Sequence, residues 1–262
     1  MHRLCFFIFL VVSHVYSQDQ PDSTKTENSI GLSIGAVHHR VVDEAFTAAR
    51  LKFTGTLPAF QLNYLHRYER SILLASAYGA FGYIDTPDES LSSSMQQFRV
   101  GCSFLRSIFR GSERTGLFIG GELSSMAYMR YDEKQLNNVS GMFIHGIFLH
   151  VIDEYRINKR SALIAEMLLP GVMFIKRESG DGGANIELAE DVNKPVQLLF
   201  SDTYVAGPNP ATYLRCRFGY ENRLSPRVTF TADYAFSWVN EYSHGALKMY
   251  SNQLSAGLKV TF

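Results

Sequence analysis

The stretch Leu247–Phe262 alternates almost without interruption. Tyr250, Asn252, Leu254, Ala256, Leu258, Val260 and Phe262 share one side, and Ser251, Gln253, Ser255, Gly257, Lys259 and Thr261 share the other. A period of two held this long predicts a β-strand with one apolar and one polar face. The same pattern recurs upstream. Val228, Phe230, Ala232, Tyr234, Phe236 and Trp238 alternate with Thr229, Thr231, Asp233 and Ser237. Leu214, Cys216, Phe218 and Tyr220 alternate with Arg215, Arg217, Gly219 and Glu221. Leu117, Ile119, Gly121 and Leu123 alternate with Phe118, Gly120 and Glu122, and Phe98, Val100, Cys102 and Phe104 with Arg99, Gly101 and Ser103. Ile30, Leu32, Ile34 and Ala36 open the series. In about 57–66, 71–84, 141–152 and 160–175 the alternation is diluted by apolar residues on both faces.

The pattern predicts ten strands, at roughly 29–42, 56–67, 71–84, 96–110, 116–131, 140–152, 160–175, 210–221, 227–239 and 247–262. Short connections (67–70, 111–115, 153–159, 222–226) alternate with mostly longer ones (43–55, 85–95, 132–139, 176–209, 240–246). A transmembrane antiparallel up-and-down β-barrel has this layout, with short periplasmic turns, longer outer loops and both chain ends on the periplasmic side. Alternation alone also fits a soluble sandwich or lipocalin-like barrel. Strands of soluble proteins usually run about five or six residues, whereas several here run twelve or more. Strand length, loop asymmetry and the N-terminal segment favour the membrane barrel.

Composition narrows the classes. The 262 residues carry 25 Lys+Arg against 25 Asp+Glu, which gives no basic excess for nucleic acid. No run of about 18 apolar residues exists to form a membrane helix. A mean hydropathy of −0.06 suits a barrel that places an apolar residue at every second position. Residues Met1–Ser17 read as a cleaved signal peptide: Arg3 precedes the apolar run Leu4–Val12, and Val15 and Ser17 precede the cleavage point. Residues 18–28 are a polar leader. Cys102 and Cys216 lie on apolar faces of distant strands and read as small hydrophobes.

Phe262 at the terminus, with Val260, Leu258 and Leu254 at alternate positions behind it, resembles the terminal insertion signal of Gram-negative outer-membrane barrels. The whole mature layout resembles the small porin-like family of such proteins. That resemblance implies export through the Sec system, insertion by the barrel-assembly machinery, contact with outer-membrane lipid, and no single activity.

With the apolar face on lipid, the polar face lines the lumen. Arg99, Arg130, Arg215, Arg217 and Lys259 then meet Glu122, Glu166, Glu221 and Asp233. Isolated buried charge is costly, so these groups are expected to pair into a plug; a selective narrow pore is the alternative. Ten strands stand near the side-chain-filled end of the barrel series. Tyr83, Tyr131, Tyr220, Trp238 and Phe262 are candidates for interfacial girdles. Within 176–209, Asn185–Glu190 and Pro195–Phe200 suggest a projecting hairpin; were they to span the membrane, the barrel would have twelve strands. The acids of this loop lack EF-hand spacing, and a solvated loop is expected there.

Catalytic chemistry is sparse. Ser243 and His244 are neighbours near Glu241, but adjacent residues of an extended chain point oppositely. His38, His39, His145 and His150 are scattered. No metal or cofactor motif is present, so no cofactor is expected. The sequence is therefore read as a non-enzymatic barrel serving envelope structure or surface interaction. A narrow pore and a lipid A-modifying enzyme are the alternatives.

Overall fold

In the computed structural model, ten long antiparallel strands wind round and close on themselves. The structure describes residues 26–43, 51–88, 90–112, 114–132, 139–179, 204–206, 211–242 and 246–262. The strands are β1 (Glu27–Asp43), β2 (Lys52–Tyr68), β3 (Ser71–Asp85), β4 (Ser92–Ser112), β5 (Thr115–Asp132), β6 (Val139–Arg156), β7 (Ser161–Ser179), β8 (Tyr204–Ala206), β9 (Ala211–Arg223), β10 (Val228–Glu241) and β11 (Leu247–Thr261). Each long strand pairs with its neighbours in sequence, β7 pairs with β9, and β1 pairs with β11 to close the barrel. The seam runs from Ser29↔Thr261 to Asp43↔Leu247. Gly35 and Gly257 lie on it, where a Cβ would sit 2.0 Å from the Leu254 carbonyl oxygen and 2.2 Å from that of Leu32. Only glycine permits that approach.

The count is ten, which overturns the twelve-strand alternative. The short β8 falls inside the predicted 176–209 loop and pairs with Met173–Ile175 on the edge of β7 that β9 takes at Ser161–Leu168, so it fills the barrel wall there without adding a spanning strand. The suggested hairpin, the signal segment and the Ser243–His244 pair lie outside the described residues.

Two irregularities follow from proline. The β2–β3 ladder runs continuously from Ala59 to Tyr68 and resumes at Thr54↔Asp85; Pro58, with no N–H to offer, sits in the gap. Pro170 opposes Phe148 where the β6–β7 register shifts, and a bulge is where a strand tolerates proline. Short turns at the end that carries both chain ends are closed by side chains. Asn158 Oδ1 accepts from the backbone N–H groups of Arg160 (2.8 Å) and Ser161 (2.9 Å), a turn chemistry favoured by Asn.

The ten long strands run 13 to 21 residues, whereas about 9–11 cross a bilayer when tilted. The excess lies toward the loop end, and there the two faces exchange character. Near the terminal end the outward residues are apolar: Ile30, Leu32 and Ile34 on β1, Phe60 and Leu62 on β2, Phe98, Val100 and Phe104 on β4, Leu254, Leu258 and Val260 on β11. Beyond them the outward positions become His38 and Arg40, Thr56 and Lys52, Gln96 and Ser94, Asn252 and Lys248. The inward positions change in the opposite sense. Ser29 and Ser33 give way to Val37 and Val41; Gln61 gives way to Leu57 and Phe53; Gln253 and Ser251 give way to Met249 and Leu247. The terminal half is built as a membrane barrel and the loop half as a water-soluble one.

This inversion accounts for the diluted alternation. The inward apolar residues form one cluster that includes Phe53, Leu57, Ile84, Met95, Met126, Met142, Ile144, Phe148, Met173, Tyr213 and Met249. The expectation that the polar face lines the whole interior is corrected accordingly: it holds for the terminal half, while the loop half has a dry core.

Outward polar groups find one another. His38 Nδ1 lies 3.1 Å from Thr56 Oγ1, His145 Nδ1 lies 2.8 Å from Ser125 Oγ, and Tyr234 donates to Asn252 (2.7 Å). Trp238 and Tyr250 stack with ring centroids 6.3 Å apart. Of the other girdle candidates, Tyr83 and Phe262 are exposed and Tyr131 and Tyr220 half-exposed. Cys102 and Cys216 are both free thiols.

Candidate functional site: the layered lumen

Below the dry core lies a layer of buried ions, placed by register. Glu166 on β7 stands directly opposite Arg217 on β9, and Arg215 lies one inward position further on. Arg217 Nη1 donates to Glu166 (2.6 Å) and its Nε to Asp233 on β10 (2.9 Å); Arg215 donates to Glu166 at 3.3 Å. His150 on β6 lies 3.4 Å from Glu166 and 3.3 Å from Glu122. Its Nδ1 meets Ser103 Oγ at 2.8 Å, and the Ser103 hydroxyl donates to Glu122 at 2.9 Å. Arg99 faces this layer from β4 and is buried. Such a layer is tolerable because each carboxylate has charged or hydrogen-bonding partners.

Two further ion pairs sit nearer the terminal end. Lys259 donates to Glu221 at 2.5 Å. Arg67 clasps Glu154 through both Nη atoms and lies 5.2 Å from the Phe118 ring centroid. Beside them Ile72, Leu105, Phe118 and Ile152 form a small apolar cluster. At the loop end, Arg177 donates to the buried Glu241 (2.6 Å), which also accepts from the Tyr204 hydroxyl (2.8 Å).

The structure thus brings eight of the nine lumen charges named from sequence into or beside the middle layer: Arg99, Glu122, Glu166, Arg215 and Arg217, with Asp233 at its edge and the Lys259–Glu221 pair just below. Arg130 stands apart. It faces inward among the apolar residues of the loop half, with its guanidinium 4.4 Å from the Phe53 ring centroid. Leu254, Leu258, Val260 and Phe262 all face outward, and the Phe262 N–H bonds the Asn28 carbonyl at 2.9 Å across the seam.

Sequence reasoning missed Arg67, Glu154, His150, Arg177 and Glu241. Arg67 falls where a predicted strand meets its turn, Glu154 falls in a predicted turn, and Arg177 and Glu241 fall in predicted loops. His150 lies on a segment of diluted alternation. The signal that could have found it is parity: His150 is even-numbered, as are Met142, Ile144 and Phe148, which share its inward side.

Ser103, His150 and a carboxylate make the contacts of a nucleophile–base–acid set. Ser103 is 1% and His150 0% exposed. Neither lines the cavities of about 20, 30 and 70 Å³ found among the described residues. Chemically the set is a hydrogen-bond relay tying β4, β5 and β6 together, with β7 joined through the 3.4 Å contact of His150 and Glu166. Among the described residues no group of three His, Cys, Asp or Glu could hold a metal ion.

No protein-family model matches the chain, and no curated protein does. Solved structures do. The chain is similar to the outer-membrane protease OmpT of Escherichia coli, with a TM-score of 0.60 at 10% identity, covering 94% of this chain and 100% of that one. The fold is that of a small Gram-negative outer-membrane β-barrel. Neisserial surface protein A is matched with a TM-score of 0.40 at 10% identity over 89% of this chain and 97% of that one. The translocator domain of the autotransporter NalP from Neisseria meningitidis is matched with a TM-score of 0.43 at 7% identity over 100% and 96%. At these identities the likeness concerns fold alone. In such barrels short turns and chain ends face the periplasm; here the terminal half, which carries both chain ends, has the apolar outward band, and the dry core lies at the opposite end.

Proposed function

We propose that this outer-membrane barrel is a sealed, non-enzymatic scaffold that serves envelope structure or surface interaction through its outer side. Its export is assigned to residues 1–17, and its insertion to the barrel-assembly machinery reading Leu254, Leu258, Val260 and Phe262. One observation carries the reading: two unlike occlusions are stacked along one lumen. The ionic layer blocks it at membrane depth, and the apolar cluster of Phe53, Leu57, Met142, Phe148 and Met249 blocks it above. A solute would have to shed water at the apolar layer and break paired charges at the ionic one. The outward polar face of the loop half suits exposure beyond the bilayer and gives a rigid base for outer loops.

Planar-bilayer recording tests the seal. The refolded mature barrel inserts without steady current, and discrete, reproducible openings would overturn the reading in favour of a narrow pore. Lipid A profiles from cells with and without the protein test the non-enzymatic part. An unchanged acyl pattern is expected, and loss of an acyl chain would refute it.

A further inference from the structure

The boundary between the ionic layer and the dry core contains a cavity of about 20 Å³. Its lining includes Arg99, Arg215, Tyr78, Gln97, Ser237 and Gln253, and no carboxylate lines it. Arg99 is 6% and Arg215 7% exposed. A guanidinium has five N–H donors and no acceptor. Here Arg99 Nη1 is buried without a hydrogen-bond partner. The nearby acids do not reach it: Glu166 holds Arg217 and Arg215, Asp233 holds Arg217, and Glu122 accepts from Ser103 through Oε2, while its Oε1 is buried without a hydrogen bond and lies outside the cavity lining. Buried charged donors are rarely left unsatisfied in native proteins, so something small and electron-rich completes the shell.

Size and charge select it. About 10–15 Å³ accommodates one water-sized particle, so the cavity takes one such particle and is too small for sulfate, phosphate or a carboxylate-bearing solute. Two guanidinium groups and no lining acid favour an anion over neutral water, because each charge strengthens its bond to an ionised acceptor. The amide of Gln97 and Gln253 and the hydroxyl of Ser237 supply further donors of the kind that coordinate a spherical anion. We infer that the cavity between Arg99 and Arg215 is a binding site for one monatomic anion of the halide class. The anion accepts from the Arg99 donor that no carboxylate reaches and bridges β3 and β4 to β9, β10 and β11 across the lumen. The site is independent of whether the barrel conducts; conductance tests the sealed-lumen reading, and halide binding tests this one.

The experiment uses the refolded mature barrel in detergent. Its unfolding midpoint is followed by heat-dependent gel migration in chloride, in bromide and in gluconate at equal ionic strength. The midpoint is expected to rise saturably in both halides relative to gluconate, as linkage to a ligand of the folded state requires. Arg99→Gln abolishes the difference, while Lys259→Gln, which removes a lumen cation away from the cavity, keeps it. Equal midpoints in halide and gluconate, or an undiminished halide response in Arg99→Gln, would overturn the inference. Should Arg99→Gln fail to fold, crystals of the unaltered protein grown in bromide decide the matter. An anomalous peak within contact of Arg99 Nη1 supports the site, and an ordered water there without anomalous signal refutes it.

Discussion

Glu166→Gln removes one negative charge from the centre of the ionic layer and changes the shape of the side chain little. Glu166 is 7% exposed and holds Arg217 at 2.6 Å and Arg215 at 3.3 Å, with His150 at 3.4 Å. Two unit charges about 4 Å apart attract by about 4 kcal/mol at an effective dielectric near 20. Losing two such attractions is partly offset because the neutral amide is cheaper to bury than a carboxylate. Breaking a buried pair by removing one partner costs about 3–5 kcal/mol, and that is the expected loss of stability. Glu221→Gln is the internal control. Its pair with Lys259 is shorter, at 2.5 Å, but both side chains are about one-fifth exposed at 20% and 19%. Partial solvation lowers the value of such a pair to about 1 kcal/mol or less. Distance alone therefore ranks the two pairs one way and burial ranks them the other. Urea unfolding from detergent micelles reads the difference, followed by gel migration and by fluorescence of Trp238, the single tryptophan. Arg217→Met added to Glu166→Gln removes one stranded guanidinium and leaves Asp233 to be counted in the cycle. If Glu166→Gln costs no more than Glu221→Gln, desolvation does not govern this lumen and the account of the ionic layer fails.

Leu123 lies mid-strand on β5 and is 66% exposed to what surrounds the barrel. Leu123→Arg is expected to cost about 2–4 kcal/mol in lipid vesicles, against about 0–1 kcal/mol for Leu163→Arg beside the periplasmic turn; equal costs at both positions would place the hydrocarbon band elsewhere. Phe148 is buried in the outer core, its ring edge-on to Tyr213 at 5.5 Å. Phe148→Ala is expected to cost about 3–5 kcal/mol in the same unfolding assay, as for an aromatic in a soluble core; a negligible loss would mean that the outer half is not tightly packed. In the β3–β4 loop, hydrogen bonds from Thr86 and Ser90 hold the Asp88 carboxyl below the ordinary aspartate value. A lowered folded value means that any stabilisation is present above the unfolded pKa and is lost as pH falls through the folded one. Ser90→Ala is expected to raise the Asp88 midpoint in an NMR titration, and an unchanged midpoint would show that these hydrogen bonds do not set it.

Where the two faces differ in polarity, a strand declares itself in one dimension. Ile30–Ala36, Phe98–Phe104 and Leu254–Phe262 were readable as strands because lipid and a charged lumen impose opposite demands on neighbouring residues. These clear strands, with the alternation of short and longer connections, carry the count of ten. The segments that blurred did so for a physical reason. At Leu57, Ile144, Phe148 and Met173 the inward side is a dry core, so apolar residues appear on both sides of the strand wherever the outward side is apolar too. A single sequence records that as weak alternation and cannot say which face lost its polarity. The site was legible in kind but not in pairing. Arg217 and Glu166 could be placed in the lumen by parity, yet their contact depends on the β7–β9 register, and β7 carries a register shift at Pro170 against β6. Arg130 had the right parity and the wrong height: it rises past the ionic layer and stacks on Phe53. Strand ends were the other gap. Arg177 and Glu241 each sat just beyond the point where outward apolarity stops, because the strand continues into water with its faces exchanged. A reading that seeks only the membrane pattern ends each strand at the bilayer surface. The barrel does not end there: its ladders continue outward around a core of the soluble kind, which is also what closes the lumen.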